Sequence, residues 1–458
     1  MDIVLNQISK WVHHLSFKNL PKDALNVIKG GFLDTLSTTL SGSQLESTQV
    51  AMQVASLEFS SPLKKGTCTL IGFGSKAGPM TAALINGTAA HAELFDDNSE
   101  PMIAHPSSPI VSALLPLAQI YKLDGTKILT AYAAGFEVSV GLGRLSNPQM
   151  YERGWHVTRS LGILGATAAC AKLLDLNESQ IQSAIGIASS MASGVRQNFG
   201  TMTMALHVGL TARDAIHCAL LAKNGFLSAD DSLSGKFGYF NCFNGRQIDS
   251  FDIGNSLELL RSGLIFKPYP SGAPTHAAIE AAISIHNKLK GNFSDIQKIT
   301  CLVHPWNSMT LKEGQVSDTL RARVSMRFCV AVALKFGEVT SKQFSMEILN
   351  NKDVQFLMQI VDIQIDDNLP DNGLFPAAVK VTFKNEKYFE SSVEIPPGSP
   401  QRGWSKKEAE KKLLNCASGI ISITKAKLLF NLIQDLENQA SLNKILNILE
   451  ARKKPTTN

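Results

Sequence analysis

Residues Asn86–Pro106 read NGTAAHAELFDDNSEPMIAHP, and this polar stretch decides how the rest of the chain is read. His91, Glu93, Asp96, Asp97, Asn98, Glu100 and His105 crowd into it, Pro101 and Pro106 bracket its second half, and Ala-rich apolar sequence lies on both sides. Such crowding is not core chemistry. It predicts a loop held rigid between helices, the usual arrangement of a functional site on a scaffold.

Working outward, apolar residues recur at helical spacing. Ile3 to Ser41 predicts two helices with Pro21 near a helix start, Thr67 to Phe73 a short extended piece, and Ala77 to Ala90 a helix leading into the loop. Beyond the loop, Ile110 to Tyr121 and Lys127 to Leu145 are expected as helices separated by an Asp124-Gly125 turn. Leu161 to Leu174, Ser179 to Ser193 and Leu206 to Gly225 continue the pattern. No GxGxxG or GxxxxGK[ST] loop opens any of them, so the first half is a helical array and a nucleotide cofactor is not expected.

After Gly263 the texture changes. Ile299 to Val303, Ile360 to Ile365 and Ala378 to Phe383 are β-rich, Thr275 to Leu289 and Ser325 to Phe336 helical, and Asn372-Gly373 marks a turn. Trp404 to Leu414 and Ile420 to Leu449 return to helix. The expected fold is mainly α: a large all-helical domain formed by both chain ends, 1–265 and 403–458, with an inserted smaller α+β lid domain at 266–402.

The chain has 458 residues, 44% hydrophobic and 18% charged, long enough for two domains. Its net charge of +5 is small, and much of the surplus falls at Lys406, Lys407, Lys411, Lys412, Arg452, Lys453 and Lys454, read as a solvated helical end. No base-reading or RNA-stacking motif accompanies it, so no nucleic-acid partner is expected. The seven cysteines form no CxxC pair and read as reduced, mostly buried thiols. With no secretory h-region at the start and no stretch apolar enough to span a bilayer, a cytoplasmic protein without a membrane partner is expected.

Four stretches carry candidate chemistry. In the central loop, His91 and His105 bracket Asp96 and Asp97. That suits acid–base work, or a hydrogen-bonded loop with no chemistry; without HxxxH or HExxH, no metal is expected. Gly154-Trp155-His156 precedes a helix starting near Thr158, whose positive end would favour a neutral imidazole. Asn198 to Gly209, NFGTMTMALHVG, offers Gly200, Thr201 and Thr203 to an anion, or is an ordinary helix start with His207 as a surface donor. Phe266 to His276, FKPYPSGAPTH, brings Lys267, Tyr269, Ser271 and His276 into a rigid turn fit for a carboxylate, or serves only as an interdomain turn.

These four stretches, in this order, resemble the MmgE/PrpD family over nearly the whole chain: the loop its NG-A-x-H-x-x-D-F-D-D…HPS pattern, then GWH, NFGTMT…LHxG and KPYP…TH. Its members include 2-methylcitrate dehydratase, cis-aconitate decarboxylase and iminodisuccinate epimerase. The resemblance implies a cofactor-independent lyase of the dehydratase type acting on a small di- or tricarboxylate, in a homodimer with its site between a helical domain and a lid. Alternatives are an epimerase or a weakened metabolite-binding member. It makes His105 and His156 the base and the acid, in either order, Lys267 the carboxylate anchor and Asp97 a fourth catalytic residue. Asp96, Asn98, Thr201, His207, Ser271, His276 and Arg327 become substrate-binding residues. The chain departs from the family at Leu94, in place of an acid before FDD, at Met204, in place of the GTMTK lysine, and at Phe328, in place of a lid tyrosine. Arg327 is expected to replace a lost cation.

Overall fold

Gly87 and Gly209 set a close helix crossing in the molecule's interior. A Cβ added at Gly209 would lie 2.2 Å from the Leu84 carbonyl oxygen and 2.3 Å from Thr88 Oγ1, and one at Gly87 2.9 Å from Gly209 Cα. The helices Pro79–His91 and Met202–Lys223 therefore touch backbone to backbone. This contact brings the end of the first, His91, beside the start of the second, where Met204 and His207 lie.

The computed structural model describes residues 2–57, 67–289, 293–311, 314–371 and 373–451. Asn372 of the expected turn and the basic residues Arg452, Lys453 and Lys454 fall outside them. Helix makes up 57% of the fold, so it is mainly α. Helices Ile3–His14, Lys22–Gly42, Ser107–Tyr121, Gly125–Ser146, Gly162–Leu173 and Glu178–Met191 match the expected stretches to within a few residues. Asp124 caps the fourth, its Oδ1 accepting from the Lys127 amide at 3.0 Å. The piece at Thr67 to Phe73 is half of a hairpin, Cys68–Leu70 paired antiparallel with Ser75–Ala77. No helix among the described residues is long and apolar enough to cross a membrane. Six of the seven cysteines are buried, and Cys242 is exposed.

Two cores result. The larger packs Ile8, Phe32, Leu36, Leu114, Phe136 and Ile216 together with Leu413, Leu429 and Leu446, so residues near the C-terminal end complete the core begun by the first helices. The expected helix from Ile420 to Leu449 is interrupted. Ile423–Gln434 and Asn443–Leu449 flank a turn at Leu436–Asn438, where the Asp435 carboxylate accepts from Asn438 Nδ2 and Gln439 Nε2 and draws the chain out of register.

The smaller core lies under a four-stranded sheet. Ile296–Val303 runs parallel to Val361–Ile365 and antiparallel to Ala377–Phe383, which pairs with Tyr388–Val393 at the edge. The last strand leaves no signal in the sequence because it is half-exposed throughout and shows no apolar run. Ile299, Cys301, Val303, Val379 and Val381 bury themselves against helices His276–His286 and Met326–Phe336. Leu94 and Met204 belong to this smaller core although they come from the helical part. They are the apolar joint between the two.

Gly209→Ala tests the crossing. Alanine raises helix propensity by about 1 kcal/mol, but its methyl would strike a backbone carbonyl, and overpacking costs about 1–3 kcal/mol. Urea denaturation is expected to show net destabilisation; a more stable variant would mean that the helices are not in backbone contact.

Candidate active site

Three buried cations grip three successive carbonyls of the central loop. Arg323 Nη1 donates to Glu93 O at 3.2 Å, Lys267 Nζ to Leu94 O at 2.7 Å and Lys412 Nζ to Phe95 O at 2.6 Å. Arg323 also meets the Glu93 carboxylate at 3.5 Å, and Lys412 donates to Asp34 Oδ1 at 2.6 Å. Here Leu94 is left-handed, φ 55°, a conformation that costs a side-chain-bearing residue about 1–2 kcal/mol; the grip of the cations offsets that strain. Lys412 is not solvated, as its place among basic residues would suggest. It is buried because it shares a helix stripe with Ala409, Leu413 and Cys416, a spacing visible in the sequence. Arg323 leaves no such signal.

Beyond the grip, the loop folds back as Asn98 and Ile265 exchange backbone hydrogen bonds at 2.9 and 2.8 Å. The two aspartates then sit behind the imidazoles. His91 Nδ1 lies 2.9 Å from Asp96 Oδ1, and Ser108 Oγ donates to Asp96 Oδ2. Burial would raise the Asp96 carboxyl, but His91, His105 and Lys267 outweigh it and hold it well below the usual carboxylate range. Burial and the nearby Asp34 and Asp96 push Asp97 the other way, well above that range. His105 Nδ1 donates to the Asp97 carbonyl at 2.8 Å.

His156 is fixed by its amide, which donates to Gly194 O at 3.0 Å, and by its Nδ1, 2.9 Å from His207 Nδ1. Ring centroids are 4.5 Å apart for His91 and His105, 5.9 Å for His91 and His156, and 5.2 Å for His156 and His207. Burial, partly opposed by Asp96, lowers His105 to about 3. Burial and then the imidazoles of His91, His207 and His105 push His156 well below its ordinary value. The neutral His156 expected from a helix terminus is thus neutral for another reason, since the helix it precedes, Val157–Ser160, is a single turn.

A cavity of about 640 Å³ lies between the helical part and the sheet part. Of the expected residues, Asn98, His105, His156 and Lys267 form its wall, with Leu94 and Met204 beside them. Asp96, Asp97 and His207 stand behind the histidines and do not reach it. Thr201 faces outward, its hydroxyl on Asn198 O. Ser271 and His276 brace the Lys267 turn, Ser271 Oγ sharing a hydrogen bond with Thr275 and His276 Nε2 lying 3.3 Å from Ser271 O. Arg327 does not replace a lost cation: it points away and donates to Val361 O on the sheet. Phe328, too, is not in the cavity but in the smaller core against Phe344. The wall also contains His91, Glu100, Arg144, Asn147, Tyr151 and His304. Of these, His91 and Glu100 stand in the loop stretch without an assigned catalytic or binding role, and the rest have no local signature.

His91, Asp96 and His105 place ligand-type atoms within 4.8 Å of one another. As they stand, Asp96 accepts from His91 and His105 donates to a carbonyl, so the group is a hydrogen-bond network.

A mainly helical chain whose cavity is walled by imidazoles and a lysine carries the groups that acid–base chemistry needs. Residues 6–251 match the MmgE/PrpD N-terminal domain and residues 269–438 the C-terminal domain, so the chain belongs to the MmgE/PrpD family. Cis-aconitate decarboxylase of Homo sapiens is 26% identical over 97% of this chain and 94% of its own length. The cis-aconitate decarboxylase-like protein oryM of Aspergillus oryzae is 25% identical over 97% of each. The 2-methylcitrate dehydratase of Salmonella typhimurium is 23% identical over 52% of this chain and 53% of its own length.

Lys412→Met is expected to cost about 3–5 kcal/mol, because it leaves Asp34 charged and buried without its partner. Adding Asp34→Asn is expected to recover part of that loss in chemical denaturation. A loss under about 1 kcal/mol would show that this pair does not hold the loop.

Proposed function

We propose that the chain is a lyase of the dehydratase type that removes a proton α to a carboxylate of a small di- or tricarboxylate, without a metal or organic cofactor. The observation that carries this reading is the pair His105 and His156: both neutral, both tied to the protein through Nδ1, both on the wall of one cavity. His105, with its Nδ1 proton given to Asp97 O, keeps the Nε2 lone pair for the substrate proton. Lys267 holds the carboxylate on which charge develops, and His156 Nε2–H protonates the leaving hydroxyl, which departs as water. The cavity would close between a helical body, 1–265 and 403–458, and the lid at 266–402. The working unit is a cytoplasmic homodimer.

The charges of the wall favour a dicarboxylate within this class. Lys267 shares its ammonium with Leu94 O, and Arg144 is bonded through Nε and Nη2 to Glu258 at 2.9 and 2.7 Å. Glu100 and Asp371 border the same space. Relatives named for acting on cis-aconitate, a trianion, need more free positive charge than this wall offers. A second reading, epimerisation, draws on the same two imidazoles, one removing a proton and the other returning it.

Incubation in deuterated water with a panel of polycarboxylates, read by proton NMR, distinguishes them. Loss of water is expected, exchange without net change would mean epimerisation, and silence across the panel would sink both. The pH profile tests the roles. His105, lowered to about 3, accepts a proton only as the pH falls toward that value. Lys267, lowered by burial to about 8, loses its charge as the pH rises through it. Plots of kcat/KM are expected to stay level from about pH 5 to 7 and fall near 8; an acid limb at the ordinary histidine value would remove His105 as the base. Finally, Met204→Lys would bury an unpaired ammonium in the apolar joint. Calorimetry is expected to show unchanged affinity for cis-aconitate and a lower melting temperature. Binding tighter by about 1 kcal/mol at unchanged stability would favour a tricarboxylate instead.

A further inference from the structure

His207 does not line the cavity, yet its ring lies against His156, which does. It is 6% exposed, and its Nε2, unlike that of His91, is not among the sealed, partnerless buried atoms. One helical turn before it, Thr203 is exposed, so this edge of His207 borders the outer surface and not the cavity. Two neutral imidazoles whose Nδ1 atoms are 2.9 Å apart must hold one proton between those atoms: two protons would collide, and two lone pairs would repel.

We propose that His207 is a proton conduit that connects His156 to solvent behind the cavity. This rests on the acid role given to His156 above. In one arrangement His156 carries its proton on Nε2, toward the substrate, and His207 carries its own on Nδ1. When His156 Nε2–H breaks to protonate the leaving hydroxyl, His207 Nδ1–H passes its proton to His156 Nδ1, and a solvent proton binds His207 Nε2. One proton enters from outside, one reaches the substrate as water forms, and both rings end neutral with their tautomers exchanged. The pair resets when water fills the open cavity: His156 Nε2 takes a proton there, its Nδ1 proton returns to His207, and His207 Nε2 releases one outside. Proton traffic thus needs no open mouth while substrate is bound. Nearby, Arg159 is anchored on Asp214 at 2.6 Å. Burial, His91 and this guanidinium all lower His207, to about 4, which keeps the conduit neutral.

Two measurements test this. In long-range proton–nitrogen NMR of the selectively labelled wild-type protein, one protonated Nδ1 is expected between His156 and His207. Two unprotonated Nδ1 atoms, or an imidazolium, would overturn the conduit whatever the substrate proves to be. In a turnover assay read by proton NMR, His207→Phe is expected to slow loss of water from the substrate by at least about tenfold with substrate affinity kept, and added imidazole to restore part of it. Dehydration at the wild-type rate, or a loss that imidazole leaves untouched in a variant with wild-type melting temperature, would overturn it. A wild-type protein that removes water from no carboxylate would instead refute the lyase reading, and the NMR result would still decide the conduit.

Discussion

Three ammonium and guanidinium groups closing on the carbonyls of Glu93, Leu94 and Phe95 are the constraint on which the site depends. Buried cations are costly unless their hydrogen bonds are met, and here each finds a backbone oxygen, with Glu93 or Asp34 compensating the charge of two of them. Each comes from a different part of the chain: Lys267 from the turn after the helical array, Arg323 from the sheet part, Lys412 from the returning helix. The loop cannot take its shape until all three segments have packed, so site and tertiary fold form together.

The same loop joins the two cores. Leu94 and Met204 pack into the apolar cluster under the sheet while His91 and His105, a few residues away, face the cavity. Where the family pattern carries charge, this chain carries apolar side chains. Leu94 stands in place of an acid and Met204 in place of a lysine, so one charge of each sign gives way to apolar contact between the two parts.

Behind the wall lies a second layer that sets the chemistry. Asp96, Asp97 and His207 are each one bond removed from the cavity: Asp96 and the Asp97 carbonyl fix which nitrogen of His91 and His105 carries a proton, and His207 shares one with His156. Burial keeps the front histidines uncharged. Their neutrality is a property of the enclosure and not of any residue adjacent in sequence.

By itself the sequence determined the helices, because apolar spacing is a local signal, and three of the four strands of the sheet, because β-rich runs are too. It determined the loop, the two histidines and Lys267, because an apolar helical core cannot absorb so many polar side chains in succession, and prolines beside them stop the helices on either side. It did not determine depth. Asp96, Asp97, Asn98 and His105 are near neighbours in sequence, and only folding put the first two behind the wall and the last two on it. Thr201, Ser271, His276 and Arg327 look equally polar in the sequence, and their placement outside the cavity follows from helix phase and from the turn they brace. Lys412 and Arg323 show the reason most plainly: a charge is read as solvated until another segment, hundreds of residues away, brings the oxygen that lets it stay buried.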